Sequence, residues 1–200
     1  MFVNHVVLGT GAIGRAVMNE LVKRGESVRM VNRSGKMYEV PAGVEVVAAD
    51  LYDQAKVKEV TRGAKVVYQA SQPNYNEWTT KFPALQKSII DGLTGTDAKL
   101  VLVENLYMYG ETNGTPMTED LPHNVHTRKG KVRSEMSNAA FEAHRAGKLK
   151  SDGWARLRLL RSVGIASCDD GRAHVLPDAA WQSGRTGREY RRAAYAYVCA

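Results

Sequence analysis

Gly9-Thr10-Gly11-Ala12-Ile13-Gly14 decides how this chain is read. The hexapeptide stands directly behind a short β-branched run, residues 4–8. It stands directly ahead of residues 13–24, where Ile13, Ala16, Val17 and Leu21 share one helical stripe that Gly25 stops. Alone, G-x-G-x-x-G is a weak pattern; between a strand and a helix it has a mechanism. Gly9 permits a tight turn off the strand, Gly11 keeps a Cβ out of a ligand's path, and Gly14 lets the helix pack closely on the sheet. The unpaired amides of Ala12, Ile13 and Gly14 then sit at the positive end of the helix macrodipole, where a pyrophosphate is favoured without a side-chain cation. The expected ligand is therefore a dinucleotide.

Working outward, residues 27–31, 44–48, 66–70 and 100–103 read as further strands. Residues 54–61, 78–93 and 132–146 read as helices, the last two through Phe82, Leu85, Ile89 and Leu93, and through Met136, Ala139, Ala140 and Ala143. Short apolar runs alternating with helical patterns are the sequence form of successive βαβ units. The expected class is α/β, a Rossmann-like doubly wound parallel sheet over residues 1–150. Residues 110–129, rich in Thr, Asn, Gly, Pro and charge, are expected to form a long surface loop near the carboxyl ends of the strands.

Usage changes at about Ser151. Residues 151–200 hold eight Arg and no Lys, against twelve Lys and eight Arg before them, and both cysteines, Cys168 and Cys199, lie in this later segment. Residues 154–163 fit one strand or helix, and no sustained period follows. The segment is expected to be an atypical tail, open to disorder.

Composition bounds the rest. Two hundred residues with 44% hydrophobic content make one substantial core. No apolar run nears the ~18 residues of a membrane span, and no secretory leader is visible, so a cytoplasmic protein with no membrane partner is expected. Two cysteines without a C-x-x-C pair, and no histidines at ligand spacing, indicate neither a disulfide framework nor a metal site. The net charge of +7 is spread: 20 basic against 16 acidic residues over 1–150, and 8 against 5 over 151–200. A nucleic-acid-binding module rests on that charge alone and is the weakest reading; a phosphorylated cofactor would also welcome it.

Which dinucleotide is addressed at the end of the second strand. An acidic residue there ordinarily accepts hydrogen bonds from a ribose 2′-hydroxyl, but this chain reads Val31-Asn32-Arg33-Ser34. Asn32 removes a carboxylate that would repel a 2′-phosphate, and Arg33 offers a guanidinium fork for it, so NADP is favoured, with NAD open. The bland alternative for Arg33 is a solvated loop arginine. Asp50 stands where a carboxylate reaches an adenine amino group, or where it merely closes a turn or caps a helix.

Taken together, G-T-G-A-I-G, V-N-R-S-G, A-A-D-L, V-V-Y-Q-A-S-Q-P and L-Y-M-Y-G resemble the extended and atypical short-chain dehydrogenase/reductases, especially the NAD-dependent epimerase/dehydratase group, over residues 1 to about 150. The resemblance implies that Asp50, Leu51 and Ala70 line the cofactor. It also implies a Ser/Thr, Tyr and Lys machinery, with the last two spaced Tyr-x-x-x-Lys. Counted from Tyr109 and Gly110, the Ser/Thr position falls on Glu104 or Asn105. The Lys position falls on Lys131, with Glu135 at the expected interval, but Thr127 stands where the tyrosine belongs. A threonine hydroxyl is too weak an acid for the tyrosine's work. Lys131, Asn105 and Tyr109, or Tyr107, are the candidates to carry the chemistry, against an ordinary packing role for the tyrosines.

The implied function is an NAD(P)-dependent oxidoreductase or epimerase/dehydratase-like protein acting on a small carbonyl or hydroxyl compound or a nucleotide sugar, with a homodimer open. The alternative is a non-catalytic NADP-binding sensor or remnant. The family's further strand, Tyr-Gly-Pro-like turn and substrate lobe are not recognisable after residue 146, and a shifted reading frame or a truncated gene is the expected origin of residues 151–200. Translating the coding DNA in the other two frames is expected to recover family-like sequence beyond position 150; failure in both frames ends that idea.

Overall fold

Val6 and Leu8 face one side of a sheet and Val7 the other, the alternation of a strand buried on both faces. They belong to β1 (His5–Leu8). The computed structural model describes residues 3–113, 121–149, 165–166 and 174–175. In it β1 is the centre of a five-stranded parallel sheet, flanked by β2 (Val28–Asn32) and β4 (Val66–Gln69), with β3 (Val44–Ala48) and β5 (Lys99–Leu102) at the edges, in the order β3-β2-β1-β4-β5. Strand order reverses between β1 and β4, and the carboxyl ends of the strands at such a reversal are where open α/β sheets bind ligands.

Among the described residues one helix, α1 (Ala12–Lys23), covers one face, packing Met18 and Leu21 on Val7, Val28 and Met30. Three cover the other: α2 (Gln54–Val60), α3 (Trp78–Leu93) and α4 (Arg128–Arg145), with α3 between its neighbours. Val57, Phe82, Leu85, Ile89, Met136 and Ala140 there meet Val6, Leu8, Val67 and Leu102. The connection from β2 to β3, residues 33–43, contains no helix.

Among the described residues the expected elements are present, with one shift of consequence. The last helix begins at Arg128, four residues before the expected 132, and so shortens the expected loop. The Thr127 side chain accepts a hydrogen bond from the Gly130 amide at 2.9 Å. The first turn is thus held by a cap, not by the apolar stripe that a reading of periodicity follows. Asp53 caps α2 in the same way, accepting from the amides of Ala55 and Lys56 at 2.8 and 3.2 Å. Within residues 151–200, Ile165–Ala166 pairs antiparallel with His174–Val175. The element expected at residues 154–163, and both cysteines, lie outside the described residues.

A buried ion pair ties the end of β5 to α4. Glu104 Oε1 lies 3.4 Å from Arg133 Nη2, with the side chains 1% and 2% exposed. The guanidinium also stacks over the Phe82 ring, 4.7 Å from its centroid, and donates to the Met136 sulfur at 3.8 Å. Burial pushes the Glu104 carboxyl up and Arg133 pulls it back; burial likewise lowers Arg133, against the opposing charge of Glu104. Each ion therefore depends on the other for compensation inside the core. Glu104→Gln, which strands a buried guanidinium, is expected to cost about 3–5 kcal/mol in urea unfolding. The double change Glu104→Leu with Arg133→Met is expected to cost less than that single change.

Candidate dinucleotide-binding site

Four backbone hydrogen bonds carry the strand pairing past the strand ends. Gly9 N donates to Val31 O, Ala70 N to Leu8 O and Ala49 N to Asn32 O, each at 2.9 Å, and Val103 N donates to Gln69 O at 3.2 Å. They set Gly9, Asn32, Asp50, Ala70 and Glu104 along one edge of the sheet. Gly9 has φ +121°, and a Cβ there would meet Ser71 N at 2.8 Å and the Ala70 carbonyl at 2.9 Å. No L side chain suits that backbone or that gap. At Gly14 a methyl would overlap the Gly9 carbonyl oxygen, so the first turn of α1 lies directly against the turn that precedes it.

Gly11 differs from both. A Cβ there would meet no heavy atom within 4 Å, and Gly11 caps α1 with extended backbone (φ −70°, ψ −176°) and no side-chain hydrogen bond. The protein's own packing therefore gives no reason for glycine at this position. What does is space kept clear in front of helix amides that no side chain caps, and this arrangement fits a pyrophosphate. Ala12 is exposed and Ile13 half-buried in the same turn. Arg15, which the motif reading passed over because it stands one residue past the last glycine, donates from Nε to the Thr10 carbonyl at 3.3 Å and braces the loop.

Asn32 organises the edge beside the motif. Its Oδ1 accepts from the amides of Ser34 and Gly35 at 3.0 and 2.7 Å, and its Nδ2 donates to Thr10 Oγ1 at 3.0 Å and to Lys36 O at 2.8 Å. A side chain with both donor and acceptor ends does this; an aspartate could not donate. Arg33 projects exposed from the resulting turn, close enough to act electrostatically on Tyr52 and Glu77. Asp50 is exposed and accepts from the Tyr52 amide at 3.0 Å, the turn-closing geometry; the helix cap is Asp53 instead. Leu51 is buried and Ala70 half-buried against the α1 side.

The candidates for catalysis are each held by a different neighbour. Asn105 Oδ1 accepts from the Tyr107 amide at 3.1 Å. Tyr109 is buried, edge-on to His123 with ring centroids 5.6 Å apart. Lys131 has a side chain 72% exposed, 4.0 Å from Glu135 on its own helix. The Thr127 hydroxyl is committed to its cap, and Glu104 to Arg133. Arg133 itself escaped the sequence reading: a charged residue inside a helix is ordinarily assigned to the solvent face, and its partner lies 29 positions away in sequence.

The chain belongs to the NAD(P)H-binding family, whose model matches residues 9–146. No curated protein matches it. Solved structures share its fold. Among them are the UDP-glucose 4-epimerase of Thermus thermophilus in complex with NAD (TM-score 0.61, 18% identity, 73% of this chain and 52% of that one) and the UDP-N-acetylglucosamine 4-epimerase of Bacillus cereus (0.60, 16%, 74% and 50%). A short-chain dehydrogenase/reductase superfamily protein of Agrobacterium tumefaciens with bound NAD also matches (0.59, 20%, 73% and 46%). The chain spans about half the length of these proteins. Among the described residues, no helix is long and apolar enough to cross a membrane.

The glycines separate packing from binding. Gly14→Ala is expected to destabilise the fold by about 1–3 kcal/mol through overpacking. Gly11→Ala is expected to change stability by no more than about 1 kcal/mol while weakening NADPH binding at least about tenfold. Paired thermal melts and NADPH titrations check both.

Proposed function

We propose that this chain is the dinucleotide-binding part of an NADP-preferring oxidoreductase or epimerase that acts on a small carbonyl or hydroxyl compound, nucleotide sugars among them. The observation that carries the reading is the uncapped N-terminus of α1 at the strand-order reversal, with open space at Gly11. The amides of Ala12, Ile13 and Gly14 hold the pyrophosphate, with Gly9 and Gly11 giving it room. Asn32 shapes the turn from which Arg33 reaches a 2′-phosphate, and Asp50, Leu51 and Ala70 border the adenosine side. Lys131, at the start of α4, is assigned to the ribose on the nicotinamide side. Asn105 stays the candidate at the Ser/Thr position. Tyr109, buried on His123, is the weaker choice for proton donor. When bound, the nicotinamide supplies hydride transfer; the protein orients it.

A second reading, a dinucleotide-binding sensor without turnover, is favoured by one observation: the residue in place of the tyrosine, Thr127, spends its hydroxyl on a helix amide. A turnover screen with NADPH and carbonyl compounds separates the two. The shared premise is tested by titrating the protein with NADPH and NADH and following energy transfer from protein to nicotinamide. Saturation by neither would sink both readings. Arg33→Ser is expected to weaken NADPH binding about 10- to 100-fold, the worth of a charge-assisted hydrogen bond, and to leave NADH unchanged. An equal loss for both nucleotides would remove Arg33 from the 2′-phosphate site.

A further inference from the structure

Three residues from separate segments meet beyond the carboxyl ends of β4 and β5. Tyr75 opens a 3-10 turn, Tyr75–Glu77, after the loop that leaves β4. Tyr107 opens another, Tyr107–Tyr109, after β5, and Lys129 lies in the first turn of α4. The two phenol oxygens are 3.5 Å apart. Lys129 Nζ lies over the Tyr75 ring, 2.7 Å from its centroid, and 5.9 Å from that of Trp78.

The group is built and open. The Trp78 indole donates to Pro73 O at 3.2 Å, pinning the loop, and its ring packs against Tyr75 and Tyr107 with centroids 5.1 and 6.0 Å away. A methyl on Gly130 would come within 2.7 Å of the Tyr107 carbonyl oxygen, so α4 is pressed onto the backbone that carries this phenol. The Thr127 cap fixes the turn that holds Lys129. Tyr75 is nevertheless 46% exposed. It lies four residues past Ser71, whose amide borders Gly9, so at most ~14 Å of chain separates it from the glycine turn.

Resting on the reading above as an NADP-dependent enzyme, we propose that Tyr75 is the acid/base group of the reaction, with Tyr107 and Lys129 as its positioning residues. They do the work of the tyrosine that position 127 lacks. In oxidation the substrate hydroxyl gives its proton to the Tyr75 phenolate oxygen, while the carbon's hydrogen leaves with its electron pair to the oxidised nicotinamide dinucleotide. In reduction the phenol returns the proton to the carbonyl oxygen. A phenolate needs a donor and a cation beside it to form near neutrality, and these are the Tyr107 hydroxyl and the Lys129 ammonium. The Tyr107 hydrogen bond and the charge of Lys129 hold the Tyr75 phenol below its ordinary range against the opposing effect of burial. Glu77 on the same turn is taken up by Lys81.

The test needs no substrate. The full chain is labelled with 13Cζ-tyrosine and titrated by NMR, free and saturated with NADPH or NADP+. One resonance, absent in Tyr75→Phe, is expected to titrate below the ordinary value of about 10, and Lys129→Met is expected to move it upward. Replacing NADPH by NADP+, which adds a positive charge at the nicotinamide, is expected to lower it by roughly half a pH unit. A tyrosine that merely packs would not distinguish the two nucleotides. Titration of Tyr75 at the ordinary value, or an identical response to both forms, overturns the assignment while leaving the cofactor reading intact. If neither nucleotide alters any resonance or the tryptophan fluorescence, the cofactor reading falls and takes this assignment with it.

Discussion

The carbonyl oxygen of Gly9 and the Cα of Gly14 are too close to admit a methyl group, and the site depends on that approach. It brings the first turn of α1 down onto the end of β1. The helix amides then open at the sheet edge, on the line of β1, β2 and β4, instead of above a face. Once α1 is set this way, the hydrogen bonds from Gly9, Ala49 and Ala70 align the neighbouring strand ends with it, and Asn32 links the second strand to Thr10 of the same turn. Any side chain at Gly14 would lift the helix and separate these groups.

The architecture was legible in the sequence because it rests on local rules. Short β-branched runs such as residues 4–8 and the four-residue stripe of Phe82, Leu85, Ile89 and Leu93 are sufficient to name their elements. Glycine stops after helices and the strand–glycine–helix context around residue 9 required no knowledge of tertiary contacts. The start of α4 was misplaced because its first turn is polar and fixed by Thr127, a single side chain outside any period.

The chemistry beyond the cofactor was much less legible. Glu104 and Arg133 look like two surface charges until the fold buries them together, and the meeting of Tyr75, Tyr107 and Lys129 joins positions 32 and 22 residues apart. Such groupings are set by which loops a parallel sheet delivers to one edge. Counting from a motif found Thr127 and Lys131, but counting cannot reveal that the threonine hydroxyl already serves a helix amide.

Among the described residues the helices are shared unequally between the two sides of the sheet, three against one, and the lone helix is the one whose uncapped amides open at the candidate site. Its apolar contact, built on Met18, Leu21, Val7, Val28 and Met30, is the smaller of the two apolar clusters among the described residues. A ligand held by that helix and by the strand ends beside it would tie α1 to the sheet. Occupancy and folding would then be linked by mass action.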